Sequence, residues 1–249
     1  MNPKLLAIAG IALVTQVACA APVSSDYTIQ QQAEFNLRVK EALINDPEIL
    51  KEAILALQAH EQKKSKTLQG DNLEENKAAL FDNKLDPWVG AEKPELIIAY
   101  FSDFNCGYCK KIEPSLEKLM DAYPEVRVVY KLVPILGQSS QQAAEFALTV
   151  WENEPEKFIP LHHELMSQPG RLDSASITKV AKATGTDKWL DNSADSVAET
   201  MNINTGLMRE FGLSGTPSLI FSDQVVGGLI PYDQLEQRVQ QALDAKRNN

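Results

Sequence analysis

The stretch "LIIAYFSDFNCGYCKKIEPSLEKLM", residues 96–120, restricts most strongly what this chain can fold into. Ile97, Ile98, Tyr100 and Phe101 follow Pro94 as a short apolar run, which reads as a buried strand. Ile112, Leu116, Leu119 and Met120 then recur at helical spacing, with Pro114 expected to kink the helix. Between strand and helix stand Cys106 and Cys109, three positions apart. Two thiols at that spacing serve a metal, a haem, a structural disulfide or electron transfer.

A zinc site needs about four ligands, usually two such pairs or one pair with histidines. The chain has three cysteines and three histidines. His60, His162 and His163 have no ligand-like spacing to the pair. The adjacent His162 and His163 point about 100° apart on a helix, and all three read as ordinary surface or core residues. Covalent haem attachment needs a histidine directly after the second cysteine, where Lys110 stands. A structural disulfide closing so short a loop adds little stability, because loop-closure entropy grows with loop length. Electron transfer fits best. The strand delivers Cys106 to the first turn of the helix, where unpaired N–H groups and the positive dipole end stabilise a thiolate. Gly107 and Tyr108 let the chain turn, so that Cys109 lies one turn deeper. Cys106 then attacks a substrate disulfide and Cys109 resolves the mixed disulfide. This chemistry requires neither a metal nor an organic cofactor.

The first twenty residues follow an export pattern. Lys4 supplies the positive start, and Leu5–Val14 is an apolar core too short for a comfortable membrane span. Ala18-Cys19-Ala20 is a small-x-small cleavage site. The rival reading lipidates Cys19, for which Gln16 is a poor match three positions earlier. Cleavage after Ala20 leaves Cys106 and Cys109 in an exported protein, hence in the oxidising periplasm, where disulfides persist. The formal charge is −10 with no basic run, which argues against nucleic acid as a partner.

Residues 21–79 form a separate helical arm. Ile29, Phe35, Leu37, Val39, Leu43 and Ile44 fall loosely at helical spacing. Asp46 can cap a second helix, Pro47 suits its first position and Glu48 its positive end. Ile49, Leu50, Ala53, Ile54 and Leu57 make one apolar stripe, and the polar stretch Glu61–Lys77 is a helical or flexible connector. Two short helices cannot build a core, so the stripe must be covered by the main domain or by another subunit. From residue 80 onward the order is strand, helix, strand (Val126–Pro134), a helical block at about 139–211, two strand candidates around Ser222-Asp223, and a closing helix. That order predicts an α/β fold, a mixed sheet with helices on both faces and an all-helical insertion.

A late "GLSGTPSLIF" places Thr216-Pro217 at the start of a strand. Taken with "FSDFNCGYCKKIEPSLEKL" and "VVYKLVPILGQSSQQAAEFAL", it resembles the DsbA-like branch of the thioredoxin-fold proteins. The resemblance covers about residues 80–245. It implies a thioredoxin fold with an inserted helical domain. It also implies a cis Pro217 facing the two sulfurs, with Thr216 beside it, where substrate backbone is held. The Gly-Tyr dipeptide, Gly107-Tyr108, departs from the Pro-His of strong oxidases and resembles the DsbC and DsbG isomerases. A neutral Tyr108 cannot stabilise a thiolate as an imidazolium can. The arm resembles the oligomerising segment of ScsC-like proteins.

The expectation is therefore an exported protein disulfide isomerase or reductase. Cys106 and Cys109 are catalytic; Gly107, Tyr108, Thr216 and Pro217 tune the pair and bind substrate. Expected partners are cysteine-containing exported proteins, a membrane redox partner (a DsbD-like reductant or a DsbB-like oxidant), and copies of the chain in a homodimer or homotrimer. Two alternatives stay open: a net disulfide oxidase, and a Cu(I)-binding copper-tolerance protein using the two soft thiolates. An inert scaffold is a third reading, against which the cysteines and the Thr-Pro pair argue.

Overall fold

The structure, a computed structural model, describes residues 29–221 and 224–247, without the side chains of residues 29 and 59–69. The leader expected over residues 1–20, the turn expected at Ser222-Asp223 and the side chain of His60 lie outside the described residues. The chain divides into two compact units, one through His60 and one from Glu61 onward.

The first unit holds α1 (Ile29–Asn45) and the start of α2 (Pro47–Glu75). Asp46 interrupts them, and its carboxylate accepts the Glu48 N–H at 3.2 Å, the first-turn cap expected there. No residue from 30 to 58 is buried. Leu37, Val39, Ile44, Ile49, Leu50, Ile54 and Leu57 are 41–65% exposed. The polar stretch after Glu61 continues α2 as helix.

The second unit is built on a five-stranded sheet in the order β1-β3-β2-β4-β5. The strands are β1 (Trp88–Gly90), β2 (Leu96–Ser102), β3 (Val126–Leu132), β4 (Ser218–Ile220) and β5 (Val225–Gly227). β2 and β3 run parallel and the other pairs antiparallel. A parallel pair needs a crossover, here α4 (Gly107–Ala122), which runs unbroken through Pro114. Side chains alternate across the sheet. Leu96, Ile98 and Tyr100 join a core with Ile112 and Leu116 of α4 and Leu235 and Val239 of α9 (Tyr232–Arg247). Ala99, Phe101 and Ile220 join a second core with Leu73, with Leu80 of α3 (Lys77–Phe81) and with Phe211. The helical insertion is α5 (Gln138–Asn153), α6 (Phe158–Ser167), α7 (Ser174–Thr184) and α8 (Asp195–Glu210). This is the thioredoxin fold with an inserted helical domain that the resemblance implied.

Two features were not visible in the sequence. β1 is three residues long and exists through its pairing with β3. It ends at Gly90, whose φ is +103° and where a Cβ would lie 2.3 Å from the Val126 carbonyl oxygen, so only glycine fits. The other is a fully buried ion pair. Lys131 Nζ on β3 donates to Asp86 Oδ2 and to the Ala79 carbonyl. Asp86 also accepts from Asn83 at 2.8 Å and Asn204 of α8 at 2.7 Å. Burial pushes the Asp86 carboxyl up and the Lys131 ammonium down, and their mutual attraction opposes both shifts. Lys131→Met should destabilise the protein by about 3–5 kcal/mol, since it strands a buried carboxylate. Urea denaturation checks this, and adding Asp86→Leu should recover part of the loss.

Candidate active site

β2 ends at Ser102, and a three-residue turn leads to Cys106, the N-cap of α4 (φ −82°, ψ 112°). The turn is held by a buried polar network. Asp103 Oδ1 accepts the Asn105 N–H at 2.8 Å and the Ser140 hydroxyl at 2.7 Å, and Oδ2 accepts the Leu136 N–H at 3.0 Å. Asn105 Nδ2 donates to the Ser139 and Ser140 hydroxyls, both at 2.9 Å, and its Oδ1 accepts the Leu172 N–H at 2.6 Å. The segment that carries the first cysteine is thus tied to the start of α5 and to the α6–α7 loop. Asp103 and Asn105 were not singled out in the sequence. An Asp two residues before an Asn is a common turn signal, and its partners lie on distant elements.

Both thiols are free. Cys106 is 7% exposed and Cys109 is 0% exposed, so only the first can be reached from outside. The Cys109 N–H donates to Cys106 Sγ at 3.4 Å, and the Cys106 thiol lies 3.1 Å from the Thr216 carbonyl oxygen. The Thr216–Pro217 peptide bond is cis. Thr216 is therefore beside Cys106, and Gly107 and Tyr108 form the first turn of α4. Tyr108 is 59% exposed, with the Lys111 ammonium 5.3 Å from its ring centroid. Lys110 Nζ donates to the carbonyls of Gln168 and Gly170, fastening α4 to the loop after α6.

The two sulfurs are driven apart in acidity. The Cys106 thiol is lowered to about 5, chiefly because the Cys109 thiol hydrogen-bonds to it. Thr216 and the backbone N–H groups of Cys109 and Tyr108 add to this, and burial opposes it. Burial pushes Cys109 well up, and donating its proton to Cys106 pushes it further. From the sequence, the helix terminus was expected to supply this acidity. The N–H groups do contribute, but the second sulfur is the larger cause.

A reduced cysteine pair at a helix N-terminus on this fold, one thiol acidic and one shielded, defines a thiol–disulfide oxidoreductase. Residues 97–240 match the DSBA-like thioredoxin domain, and residues 31–64 match the "Copper resistance protein ScsC N-terminal domain". The chain belongs to the DsbA-like thioredoxin family. Proteus mirabilis ScsC, solved in a transitional conformation, is 35% identical with a TM-score of 0.68, covering 88% of this chain and 98% of that one. A periplasmic thioredoxin-like protein from Salmonella enterica serovar Typhimurium is 37% identical with a TM-score of 0.65, covering 67% of this chain and 95% of that one. Disulfide bond formation protein D of Bacillus subtilis (strain 168) is 23% identical over 197 residues, covering 73% of this chain and 86% of that one. Among the described residues, no helix is long and apolar enough to cross a membrane.

A short iodoacetamide pulse on the reduced protein at about pH 6 should label Cys106 and spare Cys109, because only the thiolate reacts. Peptide mapping checks this, and preferential labelling of Cys109 would contradict it. Folding lowers the Cys106 value from near 9 to about 5. Its thiolate therefore stabilises the reduced protein above about pH 9, and that contribution is lost as pH falls toward 5. The stability difference between the reduced protein and Cys106→Ala should shrink over the same window.

Proposed function

We propose that this chain is an exported oxidoreductase in which Cys106 attacks disulfides of exported proteins and Cys109 resolves the mixed disulfide. The observation that carries the reading is the acidic, reachable Cys106 at the α4 cap, with Cys109 shielded behind it and Thr216 3.1 Å away. Gly107 and Tyr108 tune the pair, and Thr216 and Pro217 shape the surface where substrate backbone lies.

The proposed net direction is isomerisation or reduction, with a DsbD-like membrane reductant recharging the pair. Tyr108 brings no positive charge to Cys106. The arm, residues 21–79, carries an exposed apolar stripe that a second or third copy would cover, which makes a homodimer or homotrimer. Catalytic domains, residues 80–249, facing a shared cleft can hold a misfolded substrate while wrong disulfides break and new ones form. The proposed location is the periplasm, reached by a cleaved leader, in line with the periplasmic Salmonella relative. A net oxidase is the second reading. The low Cys106 value favours it, since stabilising the reduced form makes the disulfide more oxidising.

Light scattering on the mature protein should give a dimer or trimer that restores activity to scrambled ribonuclease. Truncation must spare Leu73, which is buried in the second core. Deleting residues 21–60 should leave a folded monomer with dithiol reductase activity and without isomerase activity. A monomeric mature protein, or a truncated form that isomerises equally well, would place the oxidase reading first.

A further inference from the structure

Polar residues occupy the facing surfaces of two helices of the insertion, and the thiol chemistry does not use them. Gln142, Glu145, Phe146 and Thr149 are spaced by three and four along α5, which puts them on one face. Ser174, Ile177 and Thr178 do the same on α7. Facing surfaces of packed helices are normally apolar. Here only Phe146 and Ile177, each 3% exposed, meet that expectation and join the main core. Between the two faces lies a cavity of about 470 Å³, bounded on a third side by Leu190 and Asp191 after the short turn at Asp187–Trp189. Small-molecule sites usually measure about 300–1,000 Å³.

The charge of the lining has one sign. Glu145 and Asp191 stand on different walls, and none of the described residues that line the cavity is basic. Neither carboxylate forms an ion pair with a described residue, and Glu145 accepts the Gln141 side-chain amide at 2.9 Å on one oxygen. The basic residues nearest in sequence are placed elsewhere: Lys188 is held by Glu154 at 3.0 Å, and Lys179 lies outside the lining. Most of the hydroxyl protons are already committed. Ser174 donates to Gln142 Oε1 at 3.0 Å, Thr178 to the Ser174 carbonyl at 2.8 Å and Thr149 to the Glu145 carbonyl at 2.7 Å. A hydroxyl that has spent its one proton can only accept from a ligand. The Gln142 amide nitrogen is left as a donor. An apolar floor under two carboxylates and spent hydroxyls matches a ligand with hydrocarbon runs and positively charged N–H donors. A neutral polyol leaves both carboxylates without a counter-charge, and an anion is repelled by them.

We propose that the cavity between α5 and α7 is a binding site for a linear aliphatic polyamine. Its methylene runs lie over Phe146, Ile177 and Leu190, and its ammonium groups meet Glu145 and Asp191. The committed hydroxyls of Thr149, Ser174 and Thr178 accept the remaining N–H groups. The site involves neither cysteine, and binding there changes no bond in the protein.

The test is calorimetric titration of the mature, reduced protein with spermidine at low ionic strength. One molecule should bind per chain, and amide resonances should shift at Glu145, Ile177 and Asp191. Joint Glu145→Gln and Asp191→Asn substitution keeps the shapes and removes both charges, and should weaken binding at least about tenfold. Joint Asp121→Asn and Asp244→Asn substitution removes two exposed acids that do not line the cavity, and should leave the affinity within about twofold. Equal weakening by both pairs marks general attraction to an acidic protein and overturns the proposal. No binding at about 1 mM spermidine overturns it as well, and so do resonance shifts confined to other residues. Octanediol has the hydrocarbon run without the charges, and equal affinity for it removes the role of the carboxylates. Tighter binding of an Nα-acetyl-lysine amide than of spermidine assigns the cavity to basic side chains of polypeptides and rejects the polyamine. Cys106→Ala should bind spermidine as the unmodified protein does, so the result is independent of the roles proposed for the cysteines.

Discussion

The hydrogen bond from the Cys109 N–H to Cys106 Sγ is where folding and reactivity meet in this protein. Most helices begin with an oxygen-bearing side chain that accepts a first-turn N–H. Here sulfur holds that position. A neutral thiol is a weak acceptor, and a thiolate is a much better one. The helix start is therefore better satisfied when Cys106 is ionised, and the acidity of Cys106 is partly a property of the backbone of α4. The second thiol adds the largest share, because its proton points at the first sulfur. One short turn of helix thus brings together an acidic thiol and a shielded one.

That turn is held from both sides. Asp103 and Asn105 fix the approach to Cys106 through bonds to α5 and to the α6–α7 loop, so the helical insertion braces the reactive segment directly. Lys110 repeats the connection on the far side of the cysteines. The opposite face of the sheet has its own polar anchor in Lys131 and Asp86, which joins β3 to the chain before β1 and to α8. Lys110 is half-buried and the others are buried, and each is satisfied by a partner distant in sequence. Such networks favour one arrangement over its competitors, because every alternative leaves a charge or an amide unpaired.

The sequence made the fold legible where the pattern was local. The apolar run of β2, the stripe of α4, the cap at Asp46 and the helical block all depend on neighbours a few residues away. Of the residues singled out as a site, Cys106, Gly107, Tyr108 and Cys109 share one strand–helix junction, and the Thr216 carbonyl meets Cys106 from just before β4. What stayed hidden depends on pairing across the fold. β1 is too short to show a period, and Gly90 looks like any loop glycine until the Val126 carbonyl is seen beneath it. Lys131 breaks an apolar strand for no local reason. His162 read as an ordinary histidine because nothing in its own helix reveals that Glu113 faces it.

The contrast between the two sulfurs also bears on the direction of the chemistry. A Cys106 that ionises near pH 5 attacks readily at neutral pH, and it leaves as readily when a substrate thiol attacks the mixed disulfide. The lifetime of that intermediate then decides the outcome. Fast resolution by Cys109 ends the encounter with a reduced substrate. Slow resolution gives the substrate's other thiols time to displace Cys106 and form a different disulfide, which is isomerisation. Burial holds the proton on Cys109 and works toward the slow limit. On the reading proposed above, the ease with which that proton leaves, opposed by the burial of Cys109, would apportion a single site between reduction and isomerisation.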